Sequence, residues 1–421
     1  MTTPTAKSTP AATVDVTEGA DATLWKLTPP QVEAVRRCGL VTISPAGQGS
    51  DGMWSIKAKR TVGAVRLGTG ADTVQLRIAP KVPIDRLLHL LAHAAARRAR
   101  WKPDPVDAAV RAGLFPAVAY CFARAAEHAL RPGVLHGYRY TEATSMALRG
   151  RLRESAQVRH RPGQALPLEI SYHERSVDIP ENQRLRAAAR HLARLPFDLG
   201  PALRSRLKRL DTQLEGATLH PETARLPVWH PNRLNSRYIP ALRLADVILE
   251  GSSFEYDHGQ GRRRIHVDGL LVNMEKVYED FVVATLGAVF TRHLGGQAQA
   301  HPRTHFLDDL EHHPLYPDLV HQLPDDQGVL APAVIVDAKY QDTVEAANLY
   351  QMLAYCTRFG LSEGHLVVVG RADDTPVRIP RPGGALLIHR HALDLALPPA
   401  ELTHRIEELG KNILDLRGPS R

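Results

Sequence analysis

The chain has 421 residues, 43% of them hydrophobic and 23% charged, a composition typical of a globular protein and not of a disordered or fibrous one. Its 53 Lys and Arg residues against 45 Asp and Glu leave a formal charge of +8, which allows a polyanionic partner without identifying one. At roughly 100–200 residues per domain, this length predicts two or three domains.

The sequence predicts neither a membrane segment nor a secretion signal. No run approaches the roughly 18 consecutive apolar residues that a membrane-spanning helix needs. Residues 1–22 are rich in Thr, Ala and Pro and lack the charged start and apolar centre of a signal peptide, so we expect a disordered tail. The cysteines Cys38, Cys121 and Cys356 lie far apart and match no metal-ligand spacing, as expected of reduced thiols in a cytoplasmic protein.

Residues 23–165 are predicted to form a β-rich N-terminal domain with a few helices. Thr28 followed by Pro29 and Pro30 is typical of a helix start, because proline at the first helical position lacks only an N–H that would have no partner there. Apolar spacing predicts further helices over Pro83–Arg100 and Val106–Leu130. Four extended segments are separated by Gly, Ser and Asp, as hairpin strands are: Val41–Ser44, Trp54–Ala58, Gly63–Leu67 and Thr73–Ile78.

Residues 166–262 are predicted to form a mainly helical middle region. Asp178 followed by Pro180 indicates the start of a helix that runs to about Leu195. The apolar pattern predicts further helices over Leu203–Leu214 and Ile239–Glu250. The segment GQGRRR, residues 259–264, interrupts that pattern with flexible and charged residues, so we expect the last domain, residues 263–421, to begin there.

The segment Ala333–Tyr340, AVIVDAKY, is the most informative part of the sequence. Its run of β-branched residues over 334–336 predicts a central strand buried on both faces. Because side chains alternate along a strand, Asp337 and Lys339 point to the same face. The carboxylate can hold a hard divalent ion, and the lysine can orient or help to deprotonate the attacking water. The pair therefore predicts half of a phosphodiester-cleaving site.

Two further acids are predicted to join this pair. Leu315–Val320, LYPDLV, is a second extended run that forms a hairpin with the DAK strand, which brings Asp318 beside Asp337. Apolar spacing over Met274–Leu294 predicts an amphipathic helix with Glu279 at the border of its apolar stripe. The order of acid helix, then P-D, then D-x-K is the PD-(D/E)xK arrangement.

A helix and another strand follow the DAK segment. Gln351 and Tyr355 lie four residues apart on one face of a helix predicted over Val344–Arg358. This QxxxY helix resembles the element of RecB-like nucleases in which the Gln supports the active site. His365–Val369, HLVVV, predicts a further buried strand. The region therefore predicts an αβββαβ core in a multidomain α+β or α/β protein.

Each signal also has a simpler interpretation. A strand that ends in Asp and Lys can be a solvated strand end, and an acid on a helix is most often a surface residue. Glu279 also competes with Glu275 and Asp280 for the role of the helix acid. The cluster Arg262–Arg264 is either a solvated linker or a phosphate contact.

Two further classes of site are not favoured. His312, His313 and His321 lie near Asp318, but they follow no HxxxH or HExxH spacing, and adjacent side chains of an extended segment face opposite ways. No GxxxxGK[ST] motif occurs, so we expect the chain itself to bind no nucleotide.

Taken together, these motifs resemble the McrC-type proteins of the McrBC restriction systems, from about Trp54 to about Val369. Ser176 replaces a more usual Thr of that pattern, and Gln341 replaces a frequent Lys. The resemblance is carried by these stretches: Ala79–Val82, Glu174–Asn182, Val277–Val282, Pro317–Asp318, Asp337–Tyr340 and Gln351–Tyr355.

The resemblance implies a partner and an activity. McrC proteins work with McrB, a GTP-hydrolysing AAA+ hexamer that recognises modified DNA and translocates it. McrC inserts its N-terminal part into that ring, stimulates hydrolysis and cuts the DNA. The resemblance therefore implies a Mg²⁺-dependent endonuclease subunit that acts on modified double-stranded DNA.

The expected site uses one or two Mg²⁺ ions. Asp318, Asp337 and the backbone carbonyl of Ala338 are expected to hold the first ion, and Glu279 assists. Lys339 is expected to position or activate the water. The helix residue Gln351 is expected to support the site. Two other functions stay open: an adaptor that activates an AAA+ partner with little nuclease role, and a stand-alone RecB-like repair nuclease.

Overall fold

The computed structural model describes residues 12–47, 52–68, 70–95, 114–195, 199–221, 226–251, 253–257, 262–266, 268–370, 375–382 and 384–416. Within these ranges the chain forms twenty strands and ten α-helices. It divides into two compact units. We call residues 1–117 with 267–421 the bipartite unit and residues 118–266 the inserted unit.

The N-terminal part of the bipartite unit contains two small sheets and two helices. The three-stranded antiparallel sheet has the order β2-β4-β3, and the four-stranded sheet has the order β1-β6-β5-β12, in which only β1 and β6 are parallel. The elements are β1 (Ala12–Thr17), β2 (Thr23–Lys26), α1 (Pro29–Cys38), β3 (Val41–Pro45), β4 (Met53–Ala58), β5 (Thr61–Leu67), β6 (Val74–Ala79), α2 (Ile84–Ala95) and β12 (Asp268–Asn273).

Strand β1 corrects the expectation that residues 1–22 are a disordered tail. Val14 and Val16 are buried in the sheet, and Ala12–Thr17 pairs in register with Val74–Ala79. The composition of a Thr- and Ala-rich segment does not reveal such a strand, because its stability comes from a partner that lies about sixty residues further along the chain. Residues 1–11 lie outside the described residues.

The N-terminal sheet is completed by a strand from the other end of the chain. Strand β12 follows residue 267 and pairs with β5, with Gly63 opposite Leu271. The structure therefore groups the first 117 residues with the C-terminal region. This grouping differs from the domains expected at 23–165, 166–262 and 263–421, because backbone pairing between distant segments leaves no local pattern in the sequence.

The C-terminal part of the bipartite unit is centred on a mixed six-stranded sheet of order β13-β16-β17-β18-β20-β19. Strands β17, β18 and β20 run parallel, whereas the pairs β13–β16, β16–β17 and β19–β20 are antiparallel. The elements are α8 (Met274–Leu294), β13 (Gln297–Ala300), β14 (His305–Phe306), β15 (Pro314–Leu315), β16 (Leu319–Pro324), β17 (Leu330–Lys339), α9 (Ala346–Phe359), β18 (Glu363–Val369), β19 (Val377–Arg381), β20 (Gly384–Leu393) and α10 (Pro399–Leu416).

Two helices flank the β17 region of this sheet. Helix α8 packs on β13, β16 and β17, and also on α10, whereas α9 packs on β17, β18 and β20. The core between α9 and the sheet includes Val320, Ile335, Met352 and Leu366, all of which are 0% exposed. Apart from the short strands β14 and β15, these elements follow one another as α8, β13, β16, β17, α9 and β18. The expectation of a mixed α/β protein is confirmed.

The inserted unit combines helices with two β elements. Its three-stranded sheet has the order β7-β9-β8, and β10 pairs with β11 in a hairpin. Arg262–Arg264 lies on β11, so this segment is a strand and not a linker. The elements are α3 (Leu114–Leu130), which begins in the bipartite unit, β7 (Gly137–Ser145), β8 (Arg151–Leu152), α4 (Glu154–His160), β9 (Leu168–Ser176), α5 (Pro180–Arg194), α6 (Gly200–Gln213), α7 (Ile239–Glu250), β10 (Ser253–Asp257) and β11 (Arg262–His266).

Asp178 joins several segments of the inserted unit. Its carboxylate accepts hydrogen bonds from Gln183 Nε2 at 2.7 Å and from the backbone N–H of Thr218 at 2.6 Å, and it pairs with Arg139 at 2.6 Å. Burial raises the pKa of Asp178, but these donors outweigh it and the net pKa is lowered. The ERSVDIPEN stretch therefore has a structural role here, which is to fix the start of α5 against its neighbours.

Among the residues that the structure describes, no helix is both long enough and apolar enough to cross a bilayer.

Gly63→Ala is expected to destabilise the protein. Gly63 has φ +134°, and a Cβ there would collide with the carbonyl oxygen of Leu270 in β12. We expect a loss of about 2–4 kcal/mol in the free energy of unfolding, measured by urea denaturation. Gly370→Ala is the control, because its φ is +100° but the space around it is open. Equal losses in the two variants would contradict the close approach of β5 and β12.

Candidate active site

The pairing of β16 with β17 brings two aspartates together at the end of the sheet's central hairpin. Leu319 lies opposite Val336 in an antiparallel register, so the preceding Asp318 lies beside the following Asp337. Asp318 Oδ2 accepts a 2.8 Å hydrogen bond from the backbone N–H of Ala338. The predicted juxtaposition is confirmed, although Asp318 comes just before β16 and not inside a strand over 315–320.

Asp337 is the most buried acid of the site, at 1% exposure. Within the described chain Asp337 Oδ1 accepts no hydrogen bond, whereas Oδ2 faces the ammonium of Lys339. Burial raises the pKa of Asp337, and the neighbouring charge of Asp318 raises it further. A buried carboxylate with unsatisfied oxygens is costly to a protein unless a cation or another ligand completes it.

Lys339 lies on the same face of β17 as Asp337, as the strand periodicity predicted. Its Nζ is 2.6 Å from Asp337 Oδ2. Burial lowers the pKa of Lys339, but the carboxylates of Asp337, Asp318 and Glu279 outweigh that effect and raise it overall. The ammonium is therefore held as a cation among three acids.

Glu279 on α8 is close enough to this group to interact with its charges. Burial raises its pKa to about 7, and the charge of Asp318 adds to the rise, while Lys339 and His301 oppose it. The structure thus places Glu279 in the same electrostatic cluster as Asp318 and Lys339. The two competing acids of the helix have other partners: Glu275 pairs with Arg60, and Asp280 accepts from His301.

The sequence interpretation missed His301. Its Nε2 lies 3.1 Å from Asp280 Oδ1 and its Nδ1 lies 3.6 Å from Asp318 Oδ1. These contacts raise the pKa of His301 to about 10, so that the imidazolium joins α8 to the start of β16. His301 also has φ +45°, a conformation that is uncommon outside glycine. No motif marks this residue, because its role depends on two carboxylates that come from different elements.

Gln351 contacts a tyrosine of its own helix. Its Nε2 donates a 2.7 Å hydrogen bond to the hydroxyl of Tyr355, one turn later on α9. Burial raises the pKa of Tyr355, and the charges of Asp337 and Asp318 add to this rise. Tyr355 of α9 is therefore close enough to the two aspartates for their charges to affect its pKa, and Gln351 contacts Tyr355.

The histidines near Asp318 in the sequence do not join the site. His321 is fully buried and packs edge-on against Phe290 of α8 at 5.7 Å between ring centres. His312 and His313 are exposed and lie near Asp308. These histidines therefore have different neighbours and do not form one cluster.

The donor set fits a hard divalent ion that keeps part of its water shell. Among the described residues, no three His, Cys, Asp or Glu side chains converge closely enough to hold an ion alone. Two neighbouring carboxylates and backbone oxygen are typical Mg²⁺ ligands, since Mg²⁺ takes one or two carboxylates and completes its shell with water and phosphate oxygens. The unpaired Oδ1 of Asp337 is an oxygen that could bind such an ion.

The fold and the site together define a mixed α/β protein of several sheets, with an acidic, lysine-containing site where a buried hairpin ends. The family model described as "McrBC 5-methylcytosine restriction system component" matches residues 56–368, more than two thirds of the sequence. The chain belongs to this family, so the resemblance found in the sequence is confirmed. No curated protein sequence matches it significantly.

Two solved assemblies from Thermococcus gammatolerans contain similar chains. One is a half-complex from a tetradecameric assembly of McrB AAA+ hexamers with bound McrC. There the match covers 96% of this chain and 100% of the other, at 19% identity and a TM-score of 0.49. The other is a cryo-EM structure of the McrBC complex, where the match covers 65% of this chain and 87% of the other, at 20% identity and a TM-score of 0.38.

Asp337→Asn is expected to stabilise the metal-free protein near pH 8 by about 1–3 kcal/mol. When folding raises the pKa of a carboxyl, the free energy of unfolding of the protein falls as the pH rises from the unfolded-state pKa to the folded-state pKa of that group. The neutral amide avoids this loss, so the gain should be smaller near pH 5. Urea denaturation in EDTA at both pH values measures it. A variant that is less stable than the wild type near pH 8 would contradict the unfavourable burial of this charge.

Proposed function

We propose that this chain is the DNA-cutting subunit of a modification-dependent restriction system, with its C-terminal sheet as a PD-(D/E)xK nuclease core. One observation carries the proposal: Asp318 and Asp337 lie side by side in a buried hairpin, Lys339 contacts Oδ2 of Asp337, and Oδ1 of Asp337 accepts no hydrogen bond within the described chain. An ordinary surface strand end would leave these groups in water. Membership of the restriction family supports DNA as the substrate.

Each residue has a proposed task in phosphodiester hydrolysis. Asp318 and Asp337, with the carbonyl of Ala338, hold the cation, and Glu279 assists from α8. Lys339 orients the attacking water and offsets phosphate charge from its position beside Asp337. A bound Mg²⁺ ion would polarise the scissile phosphate and lower the pKa of a water molecule.

Glu279 is suited to proton transfer as well as to cation binding. Its pKa of about 7 means that both protonation states are populated at neutral pH. The protonation state of Glu279 therefore also depends on the neighbouring charges of Asp318 and Lys339. His301 holds Asp318 in place through the contact to its carboxylate. Gln351 supports the site from α9 through its hydrogen bond to Tyr355.

We further propose a nucleotide-hydrolysing AAA+ partner of the McrB type. The family is that of a restriction-system component, which supports an assembly of more than one chain. The sequence has no GxxxxGK[ST] motif, so hydrolysis of GTP in such an assembly would belong to the partner. Recognition of the modified base would also belong to that partner.

Asp337→Ala is expected to abolish Mg²⁺-dependent DNA cutting and the rise in thermal midpoint that Mg²⁺ gives to the wild type, because the cation loses its most buried ligand. A plasmid-cleavage assay of the assembled complex and thermal denaturation with and without Mg²⁺ measure the two effects. Asp326→Ala is the matched control, since Asp326 is an exposed acid in the turn of the same hairpin. Undiminished cutting by Asp337→Ala would refute the nuclease assignment.

Cutting is expected to depend on the partner and on its nucleotide. The wild-type chain, alone and with the product of a neighbouring AAA+ gene, should be tested on methylated and unmethylated DNA with GTP, ATP or neither. We expect cleavage of methylated DNA only with partner and nucleotide present. Cutting by the chain alone would instead favour a stand-alone repair nuclease. Stimulated nucleotide hydrolysis without any cutting would favour an adaptor.

A further inference from the structure

Tyr340, the residue directly after Lys339, is buried at 3% exposure among residues from both ends of the bipartite unit. Its hydroxyl donates a hydrogen bond to Glu18 Oε2 at 3.2 Å. Its ring lies 5.8 Å from the ring of Tyr278 on α8. A side chain that is adjacent to the proposed catalytic lysine is therefore fixed by a residue 322 positions earlier in the sequence.

Glu18 is itself held firmly. It follows the last residue of β1, its backbone N–H donates to the carbonyl of Ala79 at the end of β6, and it is only 3% exposed. Burial of a carboxyl that is not paired with a cation costs free energy, and the hydrogen bond from Tyr340 is one of the contacts that offset this cost. Glu18 thus ties the N-terminal sheet to the end of β17.

Two cations of the N-terminal part contact the same segment. The Lys81 ammonium lies 4.6 Å from the centre of the Tyr340 ring and 3.3 Å from Asp342 Oδ1. Arg60, in the turn between β4 and β5, pairs with Glu275 and donates to Gln341 Oε1 at 3.2 Å. Since Glu275 is one turn before Glu279 on α8, the Arg60 guanidinium joins the acid helix to the chain that follows Lys339.

We propose that Glu18, Arg60 and Lys81, here called the N-terminal clamp, are positioning residues that fix Lys339 and Glu279 relative to Asp337. The inference rests on the nuclease function proposed above. It assigns part of the cutting site to the first 81 residues, where the sequence places no nuclease motif. The ladder between β17 and β18 ends at Lys339, and beyond it the N–H of Val369 donates to the carbonyl of Gln341 at 3.1 Å. The contacts of Glu18, Arg60 and Lys81 add side-chain anchors to this backbone contact.

The buried hydrogen bond should contribute most of the effect. The pairs of Arg60 and Lys81 are exposed, and exposed ion pairs are screened by water and contribute little on their own. The Glu18–Tyr340 bond is shielded from water and lies one residue from Lys339. Displacement of a reacting group by about 1 Å can lower a rate by about a hundredfold, so a small shift of β17 is enough to reduce turnover.

The test compares two tyrosines of one cluster. Tyr340→Phe removes the hydroxyl that binds Glu18, whereas Tyr278→Phe removes a buried hydroxyl that has no hydrogen-bond partner within the described chain. The variants are compared in the complete complex with Mg²⁺ and nucleotide. We expect Tyr340→Phe to lower kcat by about tenfold or more. The KM for DNA and the half-saturating Mg²⁺ concentration should stay within about twofold of the wild-type values. Tyr278→Phe should cut like the wild type.

Variants of Glu18 separate positioning from general loss of stability. Glu18→Gln keeps an oxygen that accepts from Tyr340 and should retain kcat. Glu18→Leu should lower kcat at least as much as Tyr340→Phe does, because it also removes the acceptor of the Lys81 backbone N–H at 3.5 Å. The double variant Glu18→Leu with Tyr340→Phe should be no slower than Glu18→Leu alone, since that variant already removes the Tyr340 bond. Circular dichroism and thermal midpoints measured alongside report the folded fraction of each variant.

The possible failures are distinguishable. A Tyr340→Phe complex with wild-type kcat, or a Glu18→Gln complex as slow as Glu18→Leu, would overturn the clamp and leave the nuclease proposal standing. Equal loss of kcat in Tyr278→Phe and Tyr340→Phe would also overturn it, since the effect would then follow from packing. A wild-type complex that cuts no DNA under any condition would overturn both proposals.

Discussion

The site depends on the burial of two like charges at one place. Asp318 and Asp337 lie side by side where water is largely excluded, and their mutual repulsion raises the pKa of Asp337 beyond the effect of burial alone. Such a pair persists only if surrounding groups hold it. Lys339 supplies a cation against Asp337, the Ala338 N–H donates to Asp318, and His301 lies against the same carboxylate. The surrounding elements therefore stabilise an arrangement of charges that is unfavourable by itself.

That support comes from more than the six-stranded sheet. The apolar run before Asp337 keeps β17 in the middle of the sheet, between β16 and β18, so the strand end cannot move into solvent. Helix α8 carries Glu279 and also packs on α2 from the N-terminal part. Strand β12, directly before α8, belongs to the N-terminal sheet. The position of the acid helix is therefore fixed by both parts of the bipartite unit.

Under the proposed function, this organisation affects how a partner could influence cutting. A division of the chain into an N-terminal partner-binding domain and a separate C-terminal nuclease would require a signal to cross a flexible linker. In the bipartite unit, Glu18 and Arg60 contact the segment beside Lys339 directly. A movement of the N-terminal sheet would therefore reach the site through packed side chains and hydrogen bonds, which are able to carry coupling between distant sites.

The sequence by itself determined the local chemistry of the site. Periodicity and a β-branched run placed Asp337 and Lys339 on one face of a buried strand, the hairpin signal brought Asp318 beside them, and helical spacing put Glu279 on α8. These inferences succeed because each depends on a few neighbouring residues. Only the tertiary structure decided the roles of His301, Glu18 and strand β1. Their contacts join residues up to 322 positions apart, and no local pattern encodes a partner that folding alone brings near.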